Sequence, residues 1–226
     1  MEDILFKYFE CENPTCQLRF PGYEGFSKGN RCPACRSSTR IVAIVENKER
    51  SSTKGNFSNN WQFVALLDNI RSAWNVGSIF RTSDGMGISK IYLCGISPTP
   101  DNPKVRKTSL GAEIMIPWEQ SNNALKTMIS LKLLGYKIWV LEDLPCAESL
   151  YQVGPAEQLS RLVLILGNEV SGVDPGIIEA CDKVISIPML GKKSSYNVTT
   201  AFGIAASFLF YCQSFSQGSV KILPST

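Results

Sequence analysis

Residues 161–211 read RLVLILGNEVSGVDPGIIEACDKVISIPMLGKKSSYNVTTAFGIAASFLFY, and this stretch decides the fold. It contains two apolar runs, 162–166 and 184–188, and it ends in a helix rich in small residues. Buried parallel strands read as continuous apolar runs, and ligands bind at their carboxyl ends. The loops at 167–172 and 189–197 therefore predict a concave site lined by backbone donors, which suits a small molecule.

The alternation of strands and helices extends towards the N-terminus. Apolar runs predict strands at 63–67, 90–94, 114–117 and 137–141, and polar starts with glycine ends predict helices at 75–86 and 121–134. Strands separated by helices predict an α/β fold with a mostly parallel sheet that has helices on both faces. The ligand site is expected where the strands end, near residues 141, 167 and 188.

The composition excludes several kinds of chemistry. The chain has 226 residues and a net charge of +3, which permits a nucleic-acid surface without requiring one. It contains no histidine, which excludes a Ser-His-Asp triad, a histidine-activated cysteine and a histidine-ligated metal. No window approaches the ~20 apolar residues of a membrane span, and the first residues lack the pattern of a signal peptide. We therefore expect a soluble, cytoplasmic protein with no membrane segment.

Four of the eight cysteines lie near the N-terminus in the pattern C-x4-C and C-x2-C: Cys11, Cys16, Cys32 and Cys35. Two such pairs joined by a loop can place four thiolates at the corners of a tetrahedron, as in a zinc ribbon. The segment has too few apolar residues to fold on core burial alone, so a structural zinc ion would supply the stability. Two disulfides or four free thiols are the alternatives. Zinc is favoured because the cytosol is reducing.

The sequence divides the chain into four parts. Residues 1–43 are the predicted zinc ribbon, and residues 44–60 are a polar linker almost free of aliphatic side chains. Residues 61–214 are the predicted α/β domain, and residues 215–226 a loosely ordered tail. The remaining cysteines have no ligand spacing and are predicted to be small core residues: Cys94, Cys146, Cys181 and Cys212.

Three clusters of residues in the main domain are candidates for a functional site. They read NVGSIFRTSDGMG at 75–87, LGNEVSG at 166–172, and IPM at 187–189 with SYNV at 195–198. In this order and spacing they resemble the three motifs of the SpoU/TrmH family of RNA ribose 2'-O-methyltransferases, within the SPOUT superfamily. The resemblance covers roughly residues 62–211, and the cysteine-rich segment lies outside it.

The resemblance implies a fold whose C-terminal segment is threaded through a loop as a deep trefoil knot. It also implies S-adenosylmethionine bound within that knot, and a homodimer whose active site combines residues of both subunits. On this mapping, the residues expected to contact the cofactor, mainly through backbone groups, are Leu141, Gly167, Ile187, Met189, Ser195, Tyr196 and Asn197.

The resemblance assigns the central catalytic role to Arg81, with contributions from Asn75, Glu169, Ser195 and Asn197. Methyl transfer needs an in-line nucleophile, and a ribose hydroxyl is a poor one until its proton is withdrawn. Because a free guanidinium has a pKa above ~12, Arg81 is better suited to orienting the hydroxyl and stabilising charge than to abstracting a proton. Glu169 is interpreted as a brace for the loop near Arg81. Asn75 and Asn197 can also serve as helix caps.

Positive charge between the first and second motifs predicts RNA contacts. Lys104, Arg106 and Lys107 fall where family members carry a conformable loop near the substrate, and with Arg81 they suit phosphate binding. We therefore expect an S-adenosylmethionine-dependent enzyme that methylates a ribose 2'-hydroxyl of tRNA or rRNA, with the ribbon helping to capture or orient RNA. Two alternatives stay open: an inactive RNA-binding protein with the same knotted fold, and a SPOUT enzyme that methylates a base.

Overall fold

A computed structural model of the chain describes residues 6–23, 31–45, 61–153, 160–193 and 195–216. The chain divides into two units, Met1–Gly55 and Asn56–Thr226. Most of the predicted linker, from residue 46 to residue 60, lies outside the described residues. So does most of the predicted tail, from residue 217 onwards.

The first unit contains a three-stranded antiparallel sheet. Its strands are β1 (Phe6–Cys11), β2 (Arg19–Tyr23) and β3 (Thr39–Val45), in the order β2-β1-β3. Phe9 of the central strand is buried and stacks on Phe20, with ring centroids 5.7 Å apart. Among the residues described in this unit, the other buried hydrophobic side chains are those of Cys11 and Cys32. Apolar burial therefore contributes little to its stability.

The second unit contains a seven-stranded sheet with helices. Its elements are, in chain order, β4 (Gln62–Asp68), α1 (Ala73–Gly85), β5 (Lys90–Cys94), α2 (Pro103–Ser109), α3 (Ala112–Met115), β6 (Trp118–Ser121), α4 (Ala124–Leu133), β7 (Lys137–Leu141), β8 (Glu148–Ser149), a 3₁₀ helix (Leu150–Gln152), β9 (Arg161–Leu166), α5 (Pro175–Ala180), β10 (Lys183–Ser186) and α6 (Val198–Ser216). The strand order is β6-β5-β4-β9-β7-β10-β8, and each pairing is parallel. The predicted α/β fold class is confirmed, while the knotted threading stays a prediction.

The apolar strands supply side chains to both faces of this sheet. In β4, Phe63 and Leu67 belong to a core shared with α1, α2 and α6, whereas Val64 and Leu66 belong to a second core shared with α4 and α5. Strand β9 alternates in the same way between the two cores. Burial on both faces explains why these strands show no alternation of polar and apolar residues.

Some predicted details are wrong. Residues 114–117 were expected to form a strand, but α3 ends at Met115 and the strand begins at Trp118, because a short apolar run does not distinguish a helix from a strand. The helix predicted to begin at Asn75 begins at Ala73. Its cap is Ser72, whose Oγ accepts a hydrogen bond of 3.3 Å from the N–H of Asn75. Cys146 is exposed rather than part of the core, because it lies in a turn after Pro145.

Helix α1 packs so closely on α2 that Gly77 has no room for a side chain. An added Cβ would overlap Thr108 Oγ1 and the carbonyl oxygen of Val105. Gly77→Ala should therefore force the two helices apart and lower the free energy of unfolding by about 1–3 kcal/mol. Urea denaturation followed by circular dichroism measures this loss.

Gly85→Ala is the matched control. Gly85 is the last residue of the same helix, and nothing lies within 4 Å of a Cβ added there. This substitution should be neutral or stabilise the domain by up to about 1 kcal/mol. Equal stability of the two variants would contradict the close packing of α1 on α2.

Candidate active site

A cavity of about 440 Å³ lies at the carboxyl ends of β7, β9 and β10, where the loops after these strands meet the start of α6. This volume is typical of sites for small molecules. The residues that the resemblance assigns to cofactor binding all line it: Leu141, Gly167, Ile187, Met189, Ser195, Tyr196 and Asn197. Three separate segments of sequence therefore meet in one place, which is the edge of the sheet where ligands are expected.

The loop after β9 is closed on itself. The N–H of Asn168 donates to the carbonyl oxygen of Gly172 at 3.1 Å, and the N–H of Gly172 donates to that of Asn168 at 2.9 Å. A Cβ on Gly167 would overlap the backbone of Gly172 and Val173, and Gly172 itself has a φ of +73°. Both positions therefore require glycine, one for close approach and one for its left-handed conformation. The tight loop brings its backbone to the cavity wall.

Glu169 ties this loop to the first helix of the domain. Its carboxylate accepts hydrogen bonds from the backbone N–H groups of Arg71 (2.8 Å) and Ser72 (3.1 Å) and from the side-chain amide of Asn75 (2.8 Å). Burial acts to raise the pKa of Glu169, but the hydrogen bonds to its carboxylate outweigh burial and lower that pKa below its usual value. The carboxylate thus holds the start of α1 against the cavity wall, as a brace would.

Asn75 and Asn197 connect the starts of α1 and α6. The Nδ2 atom of Asn197 donates to Oδ1 of Asn75 at 3.4 Å, and Oδ1 of Asn197 accepts from the N–H and the hydroxyl of Thr199 at 2.9 and 2.6 Å. Asn197 therefore has the geometry of an N-cap for α6 while it also lines the cavity. Ser195, two residues earlier, is an exposed part of the same wall.

Arg81 is not one of the cavity residues. It is exposed on α1, and within the described part of the chain it is not among the residues that line the cavity. The fold of a single chain therefore does not include the predicted catalytic arginine in the wall of the predicted cofactor site.

The segment predicted to be a conformable loop is helix α2. Asn102 caps it, and Pro103 occupies its first turn, where a missing N–H costs nothing. The guanidinium of Arg106 donates to the carbonyl oxygens of Pro100 at 2.6 Å and Asp101 at 3.1 Å, so this predicted RNA-binding residue holds the preceding turn. Lys104 and Lys107 are exposed.

Sequence reasoning misses two carboxylates at this edge of the sheet. Asp68, at the end of β4, is 2% exposed and accepts hydrogen bonds from the N–H of Asp174 (2.9 Å) and the side chain of Asn69 (2.7 Å). Burial raises the pKa of Asp68 above its usual value despite these donors. Glu142 lines the cavity and accepts from the N–H of Val173 at 3.2 Å. Both carboxylates stand at the end of a buried strand, and this sequence signal marks their position without revealing the burial of Asp68.

The first unit holds a candidate metal centre. The Sγ atoms of Cys11, Cys16, Cys32 and Cys35 lie within 4.8 Å of one another. The separations of 3.4 Å between Cys11 and Cys35 and 3.7 Å between Cys16 and Cys32 are close to the ~3.8 Å between sulfurs in a tetrahedral site with Zn–S bonds of ~2.3 Å. All four cysteines are free rather than paired in disulfides. The cluster could therefore hold a zinc ion.

Cys16 lies in one tight turn and Cys32 and Cys35 lie in another, and both turns contain the same backbone feature. Gln17 and Arg36, which directly follow Cys16 and Cys35, have φ values of 48° and 62°. Each donates its N–H back into its own turn, Gln17 to the carbonyl oxygen of Asn13 at 3.0 Å and Arg36 to that of Cys32 at 2.8 Å. The left-handed residue tightens each turn, so that its cysteines face the shared centre.

Comparison with known proteins identifies the class of this α/β domain. Residues 62–207 match the model of the SpoU rRNA Methylase family, and the chain belongs to this family. A relative named 23S rRNA (guanosine-2'-O-)-methyltransferase RlmB, from Escherichia coli (strain K12), is 32% identical over 143 residues, which cover 63% of this chain and 57% of the relative. The protein of the same name from Vibrio parahaemolyticus is 31% identical over 141 residues, 62% of this chain and 56% of that protein. The chain thus spans little more than half the length of these relatives.

Solved structures share the fold of the second unit. The A. aeolicus TrmH/SpoU tRNA modifying enzyme is 26% identical, with a TM-score of 0.62 over 71% of this chain and 80% of that chain. The AdoMet-bound rRNA methyltransferase from Sinorhizobium meliloti has a TM-score of 0.60 over 65% of this chain and 55% of that chain, and at 24% identity it shows the fold alone. The family inferred from the three motifs is therefore confirmed.

None of the helices in the described part of the chain has the length and apolarity of a membrane span.

Replacement of a cluster cysteine tests the metal centre. The purified protein should contain about one zinc ion per chain, and Cys32→Ser should reduce this to near zero because the site loses a buried ligand. Mass spectrometry of metals in freshly purified protein measures the content. Cys146→Ser, which removes an exposed cysteine of the other unit, is the matched control and should keep the metal. If the freshly purified parent protein contains no zinc, the cluster is not a zinc site.

The brace formed by Glu169 gives the stability of the domain an acid-dependent component. Because its pKa is lowered from a usual value of 4.5, its contribution is present above that pH and is lost as the pH falls through the lowered pKa. Glu169→Gln should remove this component and cost about 1 kcal/mol near neutral pH, a low value because the carboxylate is exposed.

Thermal unfolding between about pH 7 and about pH 3 measures both effects of Glu169→Gln. Glu179→Gln, at an exposed position of α5, should leave the pH dependence of the parent protein unchanged. The brace is absent if the Glu169 and Glu179 variants show the same acid dependence.

Proposed function

We propose that this protein transfers a methyl group from S-adenosylmethionine to the 2'-hydroxyl of a ribose in RNA. The observation that carries the proposal is the cavity, because all seven predicted cofactor positions line it in a chain of the SpoU family. The relatives named RlmB act by name on guanosine in 23S rRNA, and the A. aeolicus structure is named as a tRNA modifying enzyme. Both names support a folded RNA, rRNA or tRNA, as the substrate.

The residues of the cavity fit S-adenosylmethionine. Leu141, Leu166 and Ile187 offer apolar surface of the kind that an adenine ring needs, and the carboxylate of Glu142 can accept hydrogen bonds from hydroxyl or ammonium groups. The closed loop at 167–172 adds backbone groups at close range. When bound, the cofactor supplies a methyl group attached to a positively charged sulfur.

Arg81 provides the group that prepares the nucleophile. The five N–H donors of a guanidinium form a planar fork that can bind a phosphate and a neighbouring ribose hydroxyl together. This arrangement orients the hydroxyl and stabilises the negative charge that develops on its oxygen as its proton passes to water. The absence of histidine from the chain is consistent with a reaction that relies on orientation and fixed charge.

We further propose a homodimer as the active form. Arg81 is exposed on its own chain and does not line the cavity of that chain, so the cavity would need an Arg81 from a second copy. Apolar side chains beside the cavity support a subunit contact there, since those of Val170, Leu190 and Tyr196 are exposed.

The zinc ribbon is proposed to help capture or orient RNA. Tyr8 is exposed on its sheet, with the guanidinium of Arg19 6.0 Å from the ring centroid. An exposed aromatic ring beside arginine on a sheet is a common platform for unpaired bases. A metal held by four thiolates also suits a reducing compartment, and we propose the cytoplasm.

Replacement of Arg81 tests the proposed chemistry. Arg81→Ala should reduce methyl transfer by at least about 100-fold, while the affinity for S-adenosylhomocysteine stays unchanged because the proposed partners of this arginine are the phosphate and hydroxyl of the RNA rather than the cofactor. Incubation with labelled S-adenosylmethionine and separated tRNA and rRNA pools measures transfer, and calorimetry measures binding. Lys126→Ala, which removes an exposed cation from α4, is the control.

The same experiment distinguishes the remaining alternatives. A methyl group recovered on a base after digestion of the RNA would identify a base-methylating enzyme. If the parent protein does not bind S-adenosylhomocysteine, the result supports the alternative of an inactive RNA-binding protein with the same fold. Near-normal transfer by Arg81→Ala would refute the role assigned to this arginine.

A further inference from the structure

Trp74 is an exposed aromatic residue beside the candidate active site. It lies in the first turn of α1, directly before Asn75, and 43% of its surface is exposed. The other tryptophans are more enclosed: Trp61 and Trp139 are 7% and 2% exposed, and Trp118 is half-buried. A single exposed apolar ring needs no explanation by itself, so the groups around Trp74 decide whether it belongs to a binding surface.

Trp74 and Arg81 occupy the same face of α1. Seven residues separate them, which is about two helical turns and about 10 Å along the axis. Ser78 lies between them on this face and is half-buried. A ligand that contacts the guanidinium of Arg81 can therefore extend along the helix to the indole ring.

Helix α2 packs beside Trp74. The hydroxyl of Thr108 lies 3.2 Å from the carbonyl oxygens of Trp74, Lys104 and Val105, and Gly77 allows the two helices to approach closely. The ammonium group of Lys107 lies 5.5 Å from the centroid of the indole ring. A cation held at this distance from an aromatic face is favourable in itself, and it places a positive charge beside the ring.

The charges around Trp74 match a polyanion. Arg71, Arg81, Lys104 and Lys107 are all exposed on this part of the domain. Carboxylates of neighbouring segments offset part of this charge: Asp84 on α1 and Asp101 before α2 are exposed, Glu169 accepts three hydrogen bonds from neutral donors, and Glu113 is buried. A second copy of the same face would bring like charges together, whereas a phosphate backbone would neutralise them.

We infer that Trp74 is a stacking platform for an unpaired base of the RNA, next to the nucleotide that Arg81 holds, with Lys107 binding the attached phosphate. The inference rests on the proposed function, since it gives that function a specificity-determining residue. Base stacking on an aromatic ring tolerates any base but requires that the base is unpaired. The platform therefore selects single-stranded or looped RNA over continuous duplex.

Fluorescence of the 226-residue chain, purified with whatever metal it holds, tests the platform. A short oligoadenylate should quench tryptophan emission, whereas inorganic polyphosphate, a polyanion without bases, should not. Trp74→Phe should remove most of the quenching but keep the affinity within about threefold, because phenylalanine also stacks. Trp118→Phe, which replaces a half-buried tryptophan, is the matched control and should leave the quenching in place.

Binding by Trp74→Ala gives a second readout. Its affinity for oligoadenylate should fall about 5- to 150-fold, as expected for the loss of one stacked base, while its affinity for polyphosphate stays unchanged. Equal losses for both polyanions, or quenching that persists in Trp74→Phe, would overturn the inference. So would a change from dimer to monomer in the sedimentation of Trp74→Ala without a base-specific loss, which would make this face a subunit contact.

Calorimetry with S-adenosylhomocysteine separates this inference from the proposed function. If the parent protein binds this ligand and Trp74→Ala shows no base-specific loss, the platform alone is wrong. If the parent protein does not bind it, the proposed methyl transfer is wrong, and the stacking platform still stands or falls on the oligoadenylate titrations.

Discussion

The carboxylate of Glu169 is the contact on which the candidate active site depends. The backbone N–H groups of Arg71 and Ser72 precede the first turn of α1, where helix geometry supplies no carbonyl partners. A carboxylate satisfies both donors and is favoured by the positive end of the helix dipole. Because Glu169 belongs to the closed loop after β9, the same side chain fixes α1 to the wall of the cavity. Asn75, which donates to the same carboxylate, is thereby held beside the cavity, while core packing of Val76, Ile79 and Phe80 orients the rest of the helix.

The parallel sheet explains why the cavity lies where it does. Strands β9, β7 and β10 are neighbours, so the loops that follow them are brought to one edge although they are distant in sequence. The start of α6 closes the arrangement, with Asn197 as both cap and wall residue. In a chain without histidine, such a site depends on fixed geometry and permanent charge rather than on a group that titrates near neutral pH.

Much of this could be predicted from sequence, for identifiable reasons. The runs at 63–67 and 162–166 are long, apolar and bounded by turns, so the strands and the parallel sheet were evident from the sequence. The cap of α1 was not, because both Ser72 and Asn75 are good capping residues and their order alone does not decide between them. The separation of Arg81 from the cavity is a property of the folded chain, which periodicity does not contain. Asp68 was missed because an acidic residue at a strand end reads as a solvent-exposed turn until its burial is known.

Helix α1 has one face in the core and another in solvent. Val76, Ile79 and Phe80 are fully buried, whereas Trp74 and Arg81 face outward. The stability of the domain and its proposed RNA contacts therefore depend on different positions of a single helix. A substitution at Trp74 can alter the proposed contact with a base while the buried side chains that keep the helix folded stay the same.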